Sequence, residues 1–490
     1  MKFRLSTILL LVFTSVLYPQ AADTTQYPAS PLGTKLRHLF GFINSNDSAA
    51  IDRFVNENIS ESGKALRPLN TYRSIFQKLR IYGKHVTVVD FFSVREYEIW
   101  MKVKTSTGLW ADFAVSTDDR ATGKFNDAGF YPKMSPEQQR LMVLPNSPGS
   151  DSLIKTNIDN LVRVAAAKDL FSGVVLIARK GKIIDHNAFG FADRSWKIPN
   201  RRDTKFHIAS AGKMFTGVAV AQLAAEGKLR FTDTLASLLP DYPNSDAAKK
   251  ITVDQLLTHR AGLGELFNRP RFDKRKDYTS CSELLDCFAG EPLLFQPGTS
   301  VAYSNEGYEV LGAVVEKISG MTFQDYVRKN IFEKAGMTNS GFFAADEVIP
   351  NKATGYLRPE DDPFGVEKKR ANYFSIGLRG SASGGEYSTA EDLFKFLSAM
   401  RNGSLLPKNY VSMTTDPQGG RSDYGYGFMI TAVNSKKIFG HSGGGPNHGI
   451  NVDAFTFADG SYDVVIMSNY DAPSADLLFE KIAGYLSIQK

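Results

Sequence analysis

Cysteine is scarce in this chain: only Cys281 and Cys287 occur among its 490 residues. Neither lies in a C-x-x-C motif, and no H-E-x-x-H motif is present, so we expect no metal site and no cofactor. The two cysteines stand six residues apart. Within one helix that spacing is too long for a disulfide bond, so a disulfide would need a loop at one end. The sequence leaves this question open.

Dense clusters of basic residues are also absent. The formal net charge is +6 over the whole chain, and no run of Lys and Arg argues for a nucleic-acid partner. The composition, 42% hydrophobic and 22% charged, is typical of a soluble globular protein.

Long apolar runs are missing except at the start. Lys2 and Arg4 precede an apolar stretch at residues 8–17, and Ala21 and Ala22 are small residues suited to cleavage. The stretch is too short to span a bilayer comfortably. The pattern predicts a signal peptide at residues 1–22. We therefore expect an exported protein, periplasmic or secreted, with no membrane span.

The length predicts at least two domains. In residues 30–132, helical patterns are followed by alternating strand patterns, which predicts a small α+β domain. Its order of elements resembles the NTF2-like cone fold, and we find no catalytic constellation in it. A linker with several prolines follows at 133–150. Residues 151–488 form the second domain.

Residues 206–225 contain a single charged side chain, Lys213, among small and apolar residues. The apolar residues recur at helical spacing, so we predict a buried helix that starts at or just before Ser210. Lys213 lies one turn further along this helix. A lysine in a dry pocket can lose its proton and then accept the proton of a serine hydroxyl.

A structural alternative exists for this pair, in which Ser210 caps the helix and Lys213 reaches for solvent. The S-x-x-K spacing also occurs at Ser152 and Ser487, so spacing alone does not decide. An isolated ammonium inside an apolar helix needs a reason. The setting therefore favours a catalytic pair.

Two further motifs follow in chain order. Tyr303-Ser304-Asn305 precedes a predicted helix at 310–318, and the glycine-rich segment 440–445 connects predicted strands at 436–439 and 449–457. A phenol can relay protons, and glycines let backbone N–H groups approach a ligand. Each motif is weak alone, since Tyr242-Pro243-Asn244 also fits Y-x-N.

In this order, S-x-x-K at Ser210, Y-x-N at Tyr303 and H-S-G at His441 resemble the serine β-lactamase and penicillin-binding-protein superfamily. The similarity lies in its class C-like branch, with D,D-carboxypeptidases, D-aminopeptidases and carboxylesterases, and it covers about residues 152–488. It implies a β-lactamase-like α+β domain, an antiparallel sheet flanked by helices with a helical lobe inserted. Strands at 171–178 and 182–189 would lie beside the strands of the chain's end.

The resemblance also implies catalytic roles. Ser210 would be the acylated nucleophile, Lys213 its neutral base, and Tyr303 the relay that protonates the leaving group and later activates water. The N–H groups of Ser210 and Gly444 would form the oxyanion hole.

Asn305 and the segment His441-Ser442-Gly443 would bind the substrate, with His441 facing its far, often anionic, end. Many relatives carry Lys-Thr-Gly where this chain has His-Ser-Gly. A histidine is largely neutral at pH 7, so a permanent cation for a β-lactam carboxylate is missing. This departure favours a peptidase or an esterase over a β-lactamase.

We therefore predict an exported serine hydrolase that acts through an acyl-enzyme on amide or ester bonds, of the D,D-carboxypeptidase or esterase kind. Its substrate would be a small molecule or peptide: a cell-wall peptide, an ester or a β-lactam. A class C-like β-lactamase and a non-catalytic penicillin-binding or scaffold protein remain as alternatives. Residues 440–444 also fit the G-x-S-x-G elbow of α/β-hydrolases, but Pro446 and a strand follow, and no histidine lies beyond His448 to complete a triad.

Overall fold

The computed structural model describes most of the chain and falls into two compact units. The first unit reaches Leu141, and the second comprises Met142–Arg358 and the described residues after it. The predicted signal peptide lies outside the described residues. None of the described helices is long and apolar enough to cross a membrane. The described residues are 27–45, 47–66, 69–81, 85–95, 97–106, 108–117, 119–133, 135–358, 369–445 and 447–488.

The first unit contains helices and one antiparallel sheet around a shared core. Side-chain caps set the helix starts: Ser30 accepts a hydrogen bond from Gly33 N–H, and Asp47 accepts one from Ala50 N–H. The strands pair in chain order. The elements are α1 (Pro31–Asn44), α2 (Ser48–Asn58), α3 (Glu61–Leu66), α4 (Leu69–Ile81), β1 (Val86–Arg95), β2 (Glu98–Thr105), β3 (Trp110–Thr117), β4 (Phe125–Lys133) and α5 (Pro136–Leu141).

As the sequence patterns predicted, helices precede the strands in residues 30–132, whereas α5 lies in the predicted linker. We retain as a proposal that residues 30–132 are a domain of their own. Its kinship to NTF2-like proteins stays a prediction.

The second unit has a six-stranded antiparallel sheet with helices on both of its faces. Its helices are α6 (Asp151–Ala167), α7 (Lys213–Ala225), α8 (Leu235–Leu238), α9 (Ser245–Ala248), α10 (Val253–Leu257), α11 (Cys281–Leu285), α12 (Asn305–Ser319), α13 (Phe323–Val327), α14 (Glu333–Ala335), α15 (Ala390–Asn402), α16 (Lys408–Thr415) and α17 (Asp476–Ser487). Its strands are β5 (Gly173–Arg179), β6 (Lys182–Phe189), β7 (Phe191–Asp193), β8 (Ile198–Pro199), β9 (Phe206–His207), β10 (Tyr356–Leu357), β11 (Arg370–Ala371), β12 (Tyr387–Ser388), β13 (Met429–Val433), β14 (Lys436–Gly445), β15 (Ile450–Phe457) and β16 (Tyr462–Ser468).

The large sheet runs β13-β14-β15-β16-β5-β6. Strand β5 from the start of the unit pairs with β16 near its end, for example Ile177 with Val464. Every residue of β15 and β16 is buried, as expected for strands that are covered on both faces. The arrangement implied by the family resemblance, a sheet built from both ends of the domain, is confirmed.

Helix α7 is buried on all sides rather than along one stripe. Residues Lys213 to Ala224 are all buried, which is the pattern of a helix in the centre of a core. Phe215 packs edge-on against Phe332 and Phe396, with ring centroids 5.0 and 4.8 Å away. This packing fixes the helix that carries Lys213.

The structure differs from the sequence predictions at two motif boundaries. The glycines after His441 continue strand β14, which pairs with β15 as far as Gly445. A Cβ on Gly443 would lie 2.0 Å from the carbonyl oxygen of Ile208, so glycine here serves close backbone approach rather than a loop. Asn305 begins helix α12, whose cap Ser304 accepts from Gly307 N–H.

Cys281 and Cys287 do not form a disulfide bond: both thiols are free and buried. Cys281 opens helix α11, whereas Cys287 follows the helix and donates to the carbonyl of Arg271 at 3.7 Å.

The packing of Phe215 predicts a large loss of stability in the variant Phe215→Ala. Removing a buried phenyl ring typically costs about 3–5 kcal/mol, and we expect a loss of this size in urea unfolding of the full chain. Trp196→Ala is the matched control because this ring is 80% exposed, and its change should stay within about 0.5 kcal/mol. Equal unfolding midpoints for the two variants would contradict this account of the core.

Candidate active site

Ser210 lies on the short 3₁₀ turn Ala209–Gly212 that leads into α7. Ala209 has a φ of 46°, a left-handed conformation that costs a residue with a Cβ. Its carbonyl accepts from Gly385 N–H at 3.1 Å. A Cβ on Gly384 would lie 2.0 Å from the same carbonyl oxygen. Gly384 and Gly385 therefore pack directly against this turn and stabilise its conformation. The Ser210 side chain lines a cavity.

Lys213 is completely buried, and its amine is surrounded by three oxygen atoms. Nζ donates to Asn305 Oδ1 at 2.6 Å and to the Ser383 carbonyl at 2.7 Å. The Oγ of Ser210 lies 3.3 Å from the same nitrogen. The structure thus brings together the Ser and the Lys that the S-x-x-K spacing singled out.

Burial lowers the pKa of Lys213 to about 7, although the carboxyl groups of Glu265, Glu309 and Glu386 act in the opposite direction. Desolvation penalises the charged form, and here it outweighs the attraction of the acids. A substantial share of Lys213 is therefore neutral at physiological pH.

Glu386 is a member of the site that sequence reasoning missed. Its carboxyl group is buried, and among the described residues neither of its oxygens has a hydrogen-bond partner. A Cβ on Gly212 would lie 2.0 Å from Oε2, so the acid packs directly on the turn of Ser210. Burial raises the pKa of Glu386 to about 8. The acid is thus mostly protonated at pH 7 and leaves Lys213 able to lose its own proton.

Tyr303 completes the group. Its ring centroid lies 4.7 Å from Lys213 Nζ. Burial raises the pKa of Tyr303 well above its ordinary value, and a hydrogen bond with the Ser210 hydroxyl opposes that rise. The phenol is therefore protonated at neutral pH and can give a proton to a group at Ser210.

His259 holds the segment that carries Tyr303. Its Nδ1 accepts from Ser304 N–H at 3.1 Å, its carbonyl accepts from Ala302 N–H at 3.0 Å, and its ring lies 4.4 Å from the Tyr303 ring. Burial keeps the pKa of His259 well below its ordinary value, so Nδ1 is free to accept. The backbone of His259 has a φ of 59°, a strained conformation of the kind found at functional sites.

Asn305 connects Lys213 to an acid rather than standing free in the cavity. Its Nδ2 lies 2.8 Å from both carboxyl oxygens of Glu265, while its Oδ1 accepts from Lys213. These bonds fix the orientation of the amide. The predicted role of Asn305 in substrate binding stays a prediction, and the side chain lines the cavity.

His441 is placed differently from what the resemblance implied. It is 1% exposed and does not line the cavity. Its Nδ1 lies 2.5 Å from the Ser442 carbonyl, so Nδ1 carries the proton and Nε2 accepts from the Tyr424 hydroxyl at 2.9 Å. Burial lowers the pKa of His441 to about 3. The ring is neutral and both of its nitrogens are occupied, so it offers no charge to an anionic end of a substrate.

The other two residues of the H-S-G motif, Ser442 and Gly443, are not among the residues that line the cavity. The hydroxyl of Ser442 donates to Asp453 at 2.5 Å, and Gly443 packs against the turn of Ser210. Gly444 lines the cavity together with Ser210. Their pairing as oxyanion-hole donors stays a prediction.

The cavity has a volume of about 360 Å³. Its polar lining residues include Ser210, Tyr303 and Asn305. Much of the rest of the lining is apolar and includes Leu266, Phe267, Phe272, Tyr278, Ile376 and Ile450. This combination of apolar walls and a few convergent polar groups is typical of a small-molecule site.

A serine hydroxyl and a phenol that line such a cavity, with a buried amine 3.3 Å from the hydroxyl, are the groups of a serine hydrolase of the S-x-x-K type. The chain belongs to the Beta-lactamase family, whose model matches residues 158–485. The family includes penicillin-binding proteins and esterases among the relatives of this chain.

Three relatives show the range of the similarity. The putative penicillin-binding protein PbpX of Bacillus subtilis is 30% identical over 296 residues, which cover 60% of this chain and 71% of that one. Esterase EstB of Burkholderia gladioli is 28% identical over 305 residues, which cover 55% and 78%. The crystal structure of a penicillin-binding protein from Bacillus halodurans is 31% identical, with a TM-score of 0.57 over 64% of this chain and 96% of that one.

The contacts of His259 predict that His259→Ala reduces turnover because Tyr303 loses its support. A misplacement of about 1 Å can cost about a hundredfold in rate, and we expect kcat to fall at least about tenfold with a smaller change in KM. His38→Ala is the control, since this exposed histidine belongs to the first unit. An unchanged kcat in a folded His259→Ala enzyme would refute the positioning role.

Proposed function

We propose that the protein hydrolyses amide or ester bonds through an acyl-enzyme on Ser210, with Lys213 as the base and Tyr303 as the proton relay. The observation that carries the proposal is the set of contacts around Lys213. A neutral amine has two N–H donors and one lone pair. The two shorter contacts go to acceptors, Asn305 Oδ1 and the Ser383 carbonyl. The lone pair then faces the Ser210 hydroxyl 3.3 Å away.

Acylation starts from this arrangement. As Ser210 Oγ attacks the substrate carbonyl carbon, its proton moves to Lys213 Nζ. The carbonyl oxygen becomes an oxyanion, for which the N–H groups of Ser210 and Gly444 are the donors we propose. When the bond to the leaving group breaks, that group takes a proton from Tyr303, and the phenolate regains one from Lys213.

Deacylation runs the same route in reverse. Water gives a proton through Tyr303 to the amine and attacks the acyl carbonyl, and Ser210 Oγ leaves with the proton of Lys213. The high pKa of Tyr303 suits a relay that is ionised only briefly. The nearly neutral pKa of Lys213 suits a base that works at physiological pH.

Among substrates we favour peptides of the D,D-carboxypeptidase kind or esters over β-lactams. The buried, neutral His441 supports this choice, because it supplies no cation to a β-lactam carboxylate. We also propose that the protein is exported, on the basis of the signal-peptide pattern in residues 1–22.

The acyl-enzyme is tested by labelling the purified protein with a fluorophosphonate probe. The wild-type chain should take one label, and Ser210→Ala should take none because the nucleophile is gone. Ser442→Ala is the matched control: this serine follows His441 in the G-x-S-x-G segment, and its hydroxyl is already bonded to Asp453. Labelling that survives Ser210→Ala and disappears in Ser442→Ala would overturn the proposal.

The pKa of Lys213 predicts the pH dependence of acylation. Only the neutral amine accepts a proton, so below its pKa of about 7 the rate should fall about tenfold for each pH unit. Lys213→Arg should be inactive at every pH because a guanidinium does not deprotonate. A rate that stays constant from pH 5 to pH 8 would exclude Lys213 as the base.

A further inference from the structure

The cavity lining contains charged side chains of both signs. Glu265 is the one acidic side chain among its described lining residues, and it accepts hydrogen bonds from Asn305. Lys276 and Arg379 also line the cavity. An anionic group on a substrate would be attracted toward a cation in this lining that has no acidic partner.

The segment that carries Lys276 is held in place by several bonds. Lys274 donates from its side chain to the Ser375 carbonyl at 3.2 Å, and its own carbonyl accepts from Leu378 N–H at 2.9 Å. Arg379 forms two parallel bonds with Asp277, at 2.6 and 2.8 Å. Lys276 therefore projects from a defined segment rather than from a free loop.

The charged side chains of Asp273, Arg275 and Asp277 form ion pairs, whereas Lys276 has no carboxylate partner among the described residues. Asp277 is taken by Arg379, and Asp273 forms an ion pair with Arg275. Within the part of the chain that the structure describes, no carboxylate lies within ion-pair distance of Lys276. Its ammonium instead lies 4.6 Å from the centroid of the Tyr278 ring, an aromatic wall of the cavity.

Tyr278 belongs to a group of aromatic side chains that line the cavity. The Tyr278 ring stacks on Phe272 with 5.6 Å between centroids, and Phe272 contacts Phe267 at 5.4 Å. A substrate that reaches from Ser210 to Lys276 would therefore pass an apolar surface. Such a surface fits an aliphatic or aromatic body between the reacting bond and a terminal charge.

We propose that Lys276 selects acyl donors that carry an anionic group separated from the reacting carbonyl by an apolar spacer. Lys276 thereby supplies the cation that His441 does not. Arg379 positions the segment and is largely neutralised by Asp277. This inference rests on the acyl-enzyme function proposed above and adds the charge of the substrate to it.

Two ester pairs of matched size test the proposal with the full-length protein. Mono-p-nitrophenyl adipate and p-nitrophenyl methyl adipate differ in charge on the acyl side. The compounds 3-acetoxybenzoate and methyl 3-acetoxybenzoate differ on the leaving-group side. In at least one pair, the wild-type enzyme should have a higher kcat/KM for the anionic ester than for the neutral one. The difference should come from a lower KM rather than from a higher kcat.

Lys276→Gln should raise KM for that anionic ester about fivefold, the upper range for a partly exposed ion pair, and leave the neutral ester unchanged. Lys276→Arg should restore the preference. Lys250→Gln, which removes an exposed lysine outside the cavity, should behave like wild type. The preference should also shrink between 0.1 and 1 M salt, as the screening length falls from about 10 Å to about 3 Å.

The possible results separate this inference from the function on which it rests. Equal ratios of anionic to neutral kcat/KM in wild type and Lys276→Gln, with both neutral esters hydrolysed, would overturn the role of Lys276 and leave acyl transfer intact. Failure of the wild-type enzyme to hydrolyse any of the four esters would overturn the proposed function, and this inference with it.

Discussion

The structure depends on the burial of one amine. Lys213 is the first residue of a helix that is buried on every side, where an ion costs several kcal/mol unless it is paired or loses its charge. The protein places three oxygen atoms around this amine, at 2.6, 2.7 and 3.3 Å. In the mechanism that we propose, the amine is neutral and its lone pair faces Ser210. The same burial that disfavours the charged lysine would then suit it to act as a base.

Other features around the site follow from this constraint. Glu386 lies against the turn of Ser210 with its carboxyl mostly protonated, so it adds little attraction that would keep the amine charged. Ala209 and His259 both hold left-handed backbone conformations, each at a cost of about 1–3 kcal/mol. One strained residue precedes Ser210 and the other supports Tyr303. The free energy gained from the large hydrophobic core around α7 offsets the strain at these two residues.

The sequence predicted the parts of the site that have a fixed local spacing. Ser210 and Lys213 lie one helical turn apart, and Tyr303 and Asn305 precede or begin a helix, so their patterns were visible and the structure brings the four residues together. Glu386 contributes through a long-range contact with the turn of Ser210 that no local pattern reports. His441 shows the opposite failure: its motif was visible, but the glycines after it were taken for a loop when they continue a strand. The ring is buried against Tyr424 and does not line the cavity, and the cation that we propose in its place is Lys276.

The most direct test of the central claim is the titration of Lys213 itself in the folded protein. NMR of the chain labelled with ¹³C at the lysine ε position would follow every amine, and Lys213→Ala would identify the signal that disappears. We predict that this one signal titrates near pH 7, in keeping with the lowered pKa of Lys213. If the signal lost in Lys213→Ala titrates near 10.5, the ordinary value for a lysine, the amine is a structural cation and cannot be the base that activates Ser210.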